Sequence, residues 1–400
     1  MKQIRVLHVV GSSKFGGASS IILALAEMAR REGWTVDILA TDPEFQRETL
    51  AAGFGVVPFR GIERAVRPCR DLGAVWRLWR YLRAHPYTVV HTHTSKGGFI
   101  GRLAATLAGV PVVIHTAHGF AIHEESPFWE KAAYVALERL ASSWCDAVVA
   151  CSEFHGKWGA ELGMAPRRKL RAVPNGISRP MPTFPREQVR RSLGIGEDEF
   201  AVFCPSRIAA SKGIDDLLRA AAILKPRMNG RFHVYIAGEG PVEETCKRLA
   251  AGLDVNDVVT FLGFRTDVPN LLEAADAVAL PSFREGLSIS LLEAMSASKP
   301  IVAVDIGSNR EVGGSILVPA KNPAALANAI EFLFHDRDAS DRLAANAGRR
   351  FREHYTEDAM IRNYRRVYVE LLAAKDLIEV SSAEEISFAM LSGKRARSVR

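Results

Sequence analysis

Two carboxylates mark the stretch of this sequence best equipped for chemistry. Glu285 and Glu293 have seven residues between them, among them Gly286, Ser288 and Ser290. An apolar run, Ala277, Val278, Ala279 and Leu280, ends just before, and a helix-like run, Leu291, Leu292, Ala294 and Met295, follows. The order strand, polar turn, helix puts free backbone N–H groups beside the carboxyl end of a strand. Open α/β sheets bind ligands at such places, and anions favour helix N-termini. Glu285 is expected in the turn and Glu293 one to two turns into the helix, so the two need not point together as a general acid and base. A polyhydroxylated anion touched by each carboxylate at a different point fits them better.

Strands alternating with helices must position these groups. The first apolar run, Ile4 to Val10, leads into Gly11, Gly16 and Gly17 and then a helix. Gly11 and Gly16 have P-loop spacing, but Gly17 and Ala18 stand where Lys and Ser or Thr would hold phosphate and magnesium. What remains is a backbone that another group can approach closely, or a plain tight turn. Two further strands end in polar residues and bring His91, His93, His115, His118 and His123 near strand ends. No helical metal-ligand spacing occurs, and alternate strand residues face opposite ways, so no metal is expected. His118, just before Gly119, is the histidine best placed to meet a ligand.

The first half reads as a doubly wound α/β sheet over residues 1–177. A stiff linker with Pro180, Pro182 and Pro185 follows. The pattern then restarts over residues 178–354. A strand ends at Arg207, a loop carries Lys212, and later strands end at Gly238, Glu239 and Gly240 and at Phe264. Asp336 and Asp338 have Asp-x-Asp spacing but follow a helix end away from the strand ends, and are taken as chance.

The chain is 400 residues long, with 48% hydrophobic and 24% charged residues, and needs no disulfide staples. Its five Cys show no pairing or metal spacing, which points to a reducing compartment. With no signal-peptide design and no long apolar run, a cytoplasmic location is expected. The net charge of +7 favours phosphate-bearing partners. Much of it is local. Residues 60–83 include Arg60, Arg77, Arg80 and Arg83, with Leu72, Val75, Trp76, Trp79 and Leu82 at helical spacing. Such a helix fits a membrane surface, here the inner face of the plasma membrane. The competing reading packs its Trp face on the sheet. Residues 374–400 read as a mobile basic tail. No RNP-like or zinc-knuckle pattern is present, so no nucleic-acid partner is expected.

These residues together resemble the family-4 retaining glycosyltransferases of the GT-B fold, from the first strand to about Leu372. The most specific parts are Arg207 with Lys212, Gly238-Glu239-Gly240, and Pro281 to Gly286 leading to Leu292-Glu293-Ala294-Met295. Gly16-Gly17, His118-Gly119 and Pro174-Asn175-Gly176 match the family's first-half loops. The His91 to Gly98 run is similar to a bacterial subgroup that builds lipid-linked surface glycans.

The resemblance implies two Rossmann-like domains facing across a cleft, with a last helix, about 355–373, returning to the first. It implies hexose transfer from a nucleotide sugar, UDP favoured over GDP, to a glycan or lipid-linked acceptor, without a metal. Arg207 and Lys212 would neutralise the leaving diphosphate. The helix start near Ser288 to Ser290 would bring N–H donors to it, Gly286, Leu287, Ser288 and Ile289 would bind substrate, and Glu285 would hold sugar hydroxyls. Glu293 would take the ribose, and Gly16, Gly17, Asn175, Gly238 and Phe264 would line the substrates. His118 would line the reacting face. Front-face attack, with the leaving phosphate taking the proton, would retain configuration. The sequence departs from the pattern at Ser298 and Ser308, where Gly is usual, and in a short 313–319 segment. Two other functions compete. One is a sugar-nucleotide epimerase or hydrolase on the same plan, which would turn over donor without acceptor. The other is a non-catalytic basic module for membrane or nucleic acid, which would not need Glu285.

Overall fold

A computed structural model describes residues 3–11, 16–63, 65 and 67–379. The expected tail from residue 380 onward, Ser12 to Phe15 of the glycine loop, and Arg64 lie outside them. The chain forms two compact units, dividing after Pro174 and again after Asp358.

The first unit carries seven parallel strands: β1 (Arg5–Val9), β2 (Thr35–Leu39), β3 (Gly55–Val56), β4 (Val89–His93), β5 (Val112–Ala117), β6 (Ala147–Ala150) and β7 (Leu170–Ala172). They lie in the order β3-β2-β1-β4-β5-β6-β7. The inner strands β4, β5 and β6 are buried along their whole length, as strands of a covered parallel sheet are, while the edge strands β3 and β7 are not. One core cluster joins Leu7, Val9, Val90 and Val113 to Leu78 and Leu82 of the Pro68–Ala84 helix.

That helix corrects the expected apolar face. Val75 and Leu82 are buried as expected, with Ala74 and Leu78 beside them, and Trp79 packs partly on the core. Leu72 and Trp76 face outward, 67% and 54% exposed, and the Arg80 guanidinium lies 4.9 Å over the Trp76 ring. The core-facing stripe is centred nearer Leu78 than the Trp residues implied.

The Glu357–Ala373 helix belongs mostly to the first unit. Its Tyr368 hydroxyl lies 2.7 Å from His91 Nδ1, its Tyr364 hydroxyl 3.1 Å from Thr116 Oγ1, and Arg365 pairs with Glu32 at 2.9 Å. Buried polar atoms must find such partners, which fixes where this amphipathic helix docks.

The second unit repeats the plan with six parallel strands: β8 (Phe200–Pro205), β9 (Phe232–Ala237), β10 (Val259–Gly263), β11 (Ala277–Leu280), β12 (Ile301–Val304) and β13 (Ile316–Val318). Their order is β10-β9-β8-β11-β12-β13. Asn270 Oδ1 accepts from Thr183 N at 2.7 Å and Phe184 N at 3.2 Å, so the Pro-rich linker is tied to this unit. Asp336 caps the Arg337–His354 helix, its Oδ1 accepting from Ala339 N at 2.8 Å. No helix among the described residues is long and apolar enough to cross a membrane.

Candidate active site

In each sheet the strand order reverses once, between β1 and β4 in the first unit and between β8 and β11 in the second. Loops leaving neighbouring strands at such a reversal diverge and leave a crevice at their carboxyl ends. Arg207, Lys212 and Glu285 stand on the loops that follow β8 and β11, and Gly238 and Phe264 just after β9 and β10.

Lys212 comes from the loop after β8 and Glu285 from the loop after β11, with Lys212 Nζ 2.5 Å from Glu285 Oε1. Three contacts bind these loops together. Phe283 N donates to Ser211 O at 3.1 Å, and Ser290 Oγ donates to Pro205 O at 2.6 Å. Gly213 adopts φ +64°, and a Cβ there would stand 2.3 Å from Pro281 O, so only glycine fits. Arg207 is exposed at the mouth of the β8 loop.

The loop after β9 packs as tightly. A Cβ on Gly238 would meet Ser206 O at 2.2 Å, and one on Gly240 would meet Ile208 O at 1.9 Å. The intervening Glu239 accepts from Ile208 N at 3.0 Å through its carbonyl, and from Phe264 N at 3.3 Å through Oε1. Gly-Glu-Gly is therefore a spacer that lets the loops after β8, β9 and β10 meet. Phe264 itself is 61% exposed, an apolar ring open to a partner.

Glu293 is the fifth residue of the Ile289–Ser296 helix, which Ser288 caps by accepting from Leu291 N at 3.3 Å. Burial pushes the Glu293 carboxyl up to about 7. A carboxyl held so near neutrality is primed for hydroxyl partners, which favour its charged form. Gly286 and Ile289 are partly exposed, whereas the Leu287 side chain is buried.

In the first unit, Gly16 precedes the Gly17–Arg31 helix, and its carbonyl accepts from Ser19 N and Ser20 N at 2.9 and 3.1 Å. A Cβ on Gly16 would meet nothing within 4 Å. Packing among the described residues does not demand glycine there. Gly11 and Gly97 do need to be small, since a Cβ on Gly97 would stand 2.6 Å from Gly11 N. Asn175 opens the second unit, buried, with its Oδ1 lacking a partner among the described residues.

The histidines sort by strand face. His91 and His93 lie two residues apart on β4, and His8 of β1 is the register partner of His91. His93 Nδ1 lies 3.0 Å from His118 Nε2, and His8 Nδ1 lies 3.0 Å from His93 Nε2. His115 faces the other way and meets Thr92 Oγ1 at 3.0 Å. His123 stands apart, bonded to Ser126. His8 is the member that sequence reasoning missed. The signal was a polar residue inside the apolar first strand, but its meaning depends on β1 lying beside β4. The ligand atoms of His8, His91 and His93 lie within 4.8 Å of one another.

Comparison with known proteins agrees with this architecture. Residues 16–176 match the model of a glycosyl transferase 4-like domain, and residues 185–350 match that of glycosyl transferases group 1. The chain is 30% identical to the glycosyltransferase EpsD of Bacillus subtilis, across 75% of this chain and 82% of that protein. It is 28% identical to the UDP-Gal:alpha-D-GlcNAc-diphosphoundecaprenol alpha-1,3-galactosyltransferase of Escherichia coli, across 77% and 81%. Among solved structures, Anabaena HepE in complex with UDP-glucose superposes with a TM-score of 0.79 at 22% identity, covering 92% of this chain and 100% of that one. The chain therefore belongs to the group 1, family-4 glycosyltransferases of the GT-B fold, and it is a transferase enzyme.

Proposed function

We propose that this enzyme moves a hexose from a nucleoside diphosphate sugar to a hydroxyl of a glycan or lipid-linked glycan, with retention, in cell-surface polysaccharide biosynthesis. The observation that carries the reading is the Lys212–Glu285 pair, set where the second sheet reverses its strand order. It offers one cation for a diphosphate and one carboxylate for sugar hydroxyls on adjoining loops. Arg207 adds a second cation, and no divalent metal is then required to offset the leaving charge. Glu293 takes the ribose hydroxyls. The second unit thus binds the donor, while the first supplies the acceptor side and His118.

In the reaction the bond from the anomeric carbon to the diphosphate oxygen breaks as the acceptor oxygen attacks the same face. The acceptor proton passes to the departing phosphate. A UDP sugar is the favoured donor, a choice supported by the Escherichia coli relative's UDP-Gal and by the UDP-glucose held by HepE. The relative's diphosphoundecaprenol-linked acceptor supports a lipid-linked one here. Such an acceptor is anchored in a bilayer, so the enzyme works at the inner face of the plasma membrane, with Arg77, Arg80 and Arg83 toward anionic lipid.

The test is a panel of nucleotide sugars screened by thermal shift, then incubated with lipid-linked acceptors, with the product anomer read by NMR. One UDP sugar raising the melting temperature and yielding an axially linked product supports the reading. Equal donor turnover with and without acceptor moves the assignment to a hydrolase. No shift from any nucleotide sugar overturns it.

A further inference from the structure

His8, His93 and His118 form one continuous hydrogen-bonded chain. Its two links are both 3.0 Å long, from His8 Nδ1 to His93 Nε2 and from His93 Nδ1 to His118 Nε2. His8 and His93 are fully enclosed, and burial depresses all three imidazoles, His118 to about 4. The rings are neutral at physiological pH. At the two ends of the chain, His8 Nε2 and His118 Nδ1 have no partner among the described residues.

Proton counting then restricts the rings. Three neutral imidazoles carry three ring protons. Each link needs one proton, so two lie inside the chain and the third lies at one end. Any other arrangement sets two N–H groups or two lone pairs against each other and breaks a link. The chain therefore has two states. Either every ring donates toward His118, whose Nδ1–H is left at that end, or every ring donates toward His8, whose Nε2–H is left at the other; both end nitrogens are buried. Orphaned buried N–H groups are rarer in proteins than under-used acceptors. His8 is fully enclosed whereas His118 is partly exposed, so a bound ligand can answer an N–H only at His118; the lone pair therefore belongs on His8 and the third proton on His118.

We propose that His93 and His8 are positioning residues that hold His118 as a neutral Nδ1–H donor for an oxygen of the bound acceptor. This rests on His118 lining the reacting face. The donor would be fixed in direction before the ligand arrives, and such preorganisation is where hydrogen bonds aid catalysis most.

A metal ion is the competing use of the same rings, since His8, His91 and His93 bring their nitrogens within 4.8 Å. The hydrogen bonds argue against it. His91 spends Nδ1 on the Tyr368 hydroxyl and Nε2 on Thr116 Oγ1, both at 2.7 Å. His93 spends both nitrogens on His8 and His118. A metal would have to displace bonds from both rings.

The experiment uses full-length protein and three readouts. Nitrogen-15 NMR of histidine-labelled protein, with His118 assigned by loss of its signals in His118→Gln, should show a pyrrole-type Nδ1 and a pyridine-type Nε2. His93→Leu should lower kcat by about tenfold to a hundredfold with donor KM within about twofold. His93→Asn, whose amide can still donate to His118 Nε2, should recover most of that loss. Elemental analysis should find no stoichiometric transition metal. An Nε2–H tautomer at His118, unchanged kcat in His93→Leu, or one tightly bound metal per chain each overturns the proposal. If wild-type protein transfers no sugar, the functional reading fails, and the NMR arm still decides whether the chain fixes the tautomer.

Discussion

Lys212 Nζ and Glu285 Oε1 are 2.5 Å apart, with 23% and 14% of their side-chain surfaces exposed. In the free protein each charge is answered by the other. A diphosphate and a sugar would have to share or replace that bond, so the two single substitutions should behave oppositely. Glu285→Gln frees Lys212 for the diphosphate. UDP affinity should hold or improve severalfold by isothermal titration while sugar transfer is lost. Lys212→Ala removes a charge-assisted bond to phosphate and leaves Glu285 to repel it. UDP affinity should fall about tenfold to a hundredfold. Equal affinity in wild type and Lys212→Ala would remove Lys212 from the donor site.

Glu293 gives a pH dependence with a definite sign. Its folded value is raised from 4.5 to about 7 by burial. The folded protein holds this proton more tightly than the unfolded chain. The associated stability is complete below about pH 4.5 and is lost as pH rises through about 7. Glu293→Gln, which stays neutral, should match wild type in urea melts at pH 4.5 and exceed it at pH 8.5. The gain should approach about 3 kcal/mol. Ribose hydroxyls donating to the carboxylate would favour its ionised form. Binding of a UDP sugar at pH 6.5 should then release protons, seen by titration in buffers of different ionisation enthalpy. Proton uptake, or none, would place the ribose elsewhere.

The sequence made the second unit's site legible because its residues directly follow apolar runs. Arg207, Lys212, Gly238, Phe264 and Glu285 each stand just beyond a strand end, and the doubly wound order brings those ends together. The histidine chain was not legible, because pairing His8 with His91 depends on β1 lying next to β4. The docking of Tyr364 and Tyr368 onto Thr116 and His91 spans more than half of the chain. Helical periodicity showed that residues 72–82 form a stripe. It did not show where the stripe's edge lies, and Leu72 and Trp76 fell outside the core.

That exposed edge makes a surface prediction. Trp76 stands outward with Arg80 stacked over it, beside the partly exposed Tyr81 and the exposed Arg77 and Arg83. Each basic residue near an anionic bilayer contributes about 1 kcal/mol. Replacing Arg77, Arg80 and Arg83 together by Gln should reduce flotation with phosphatidylglycerol vesicles at least tenfold and leave UDP binding intact. Trp76→Ala should weaken it further at high salt, where the apolar contact remains. Unchanged flotation in the triple variant would remove this helix from the membrane interface.

Ser298 sits at φ +51°, in the left-handed region, just past the Ile289–Ser296 helix. Glycine is the usual residue for such a helix end, because it avoids the Cβ penalty there. Across from it, a Cβ on Gly348 would stand 2.2 Å from Ser298 Oγ. The two positions are therefore coupled. Ser298→Gly should stabilise the protein by about 0.5–1 kcal/mol, the backbone relief being partly offset by a freer unfolded chain. Gly348→Ala alone should destabilise, because the added methyl collides with Ser298 despite the better helix propensity of Ala. In the Ser298→Gly background the collision is gone, and the same change should gain up to about 1 kcal/mol. Urea melts of the four proteins in a double-mutant cycle measure this directly, and additive effects would show that the two positions do not meet.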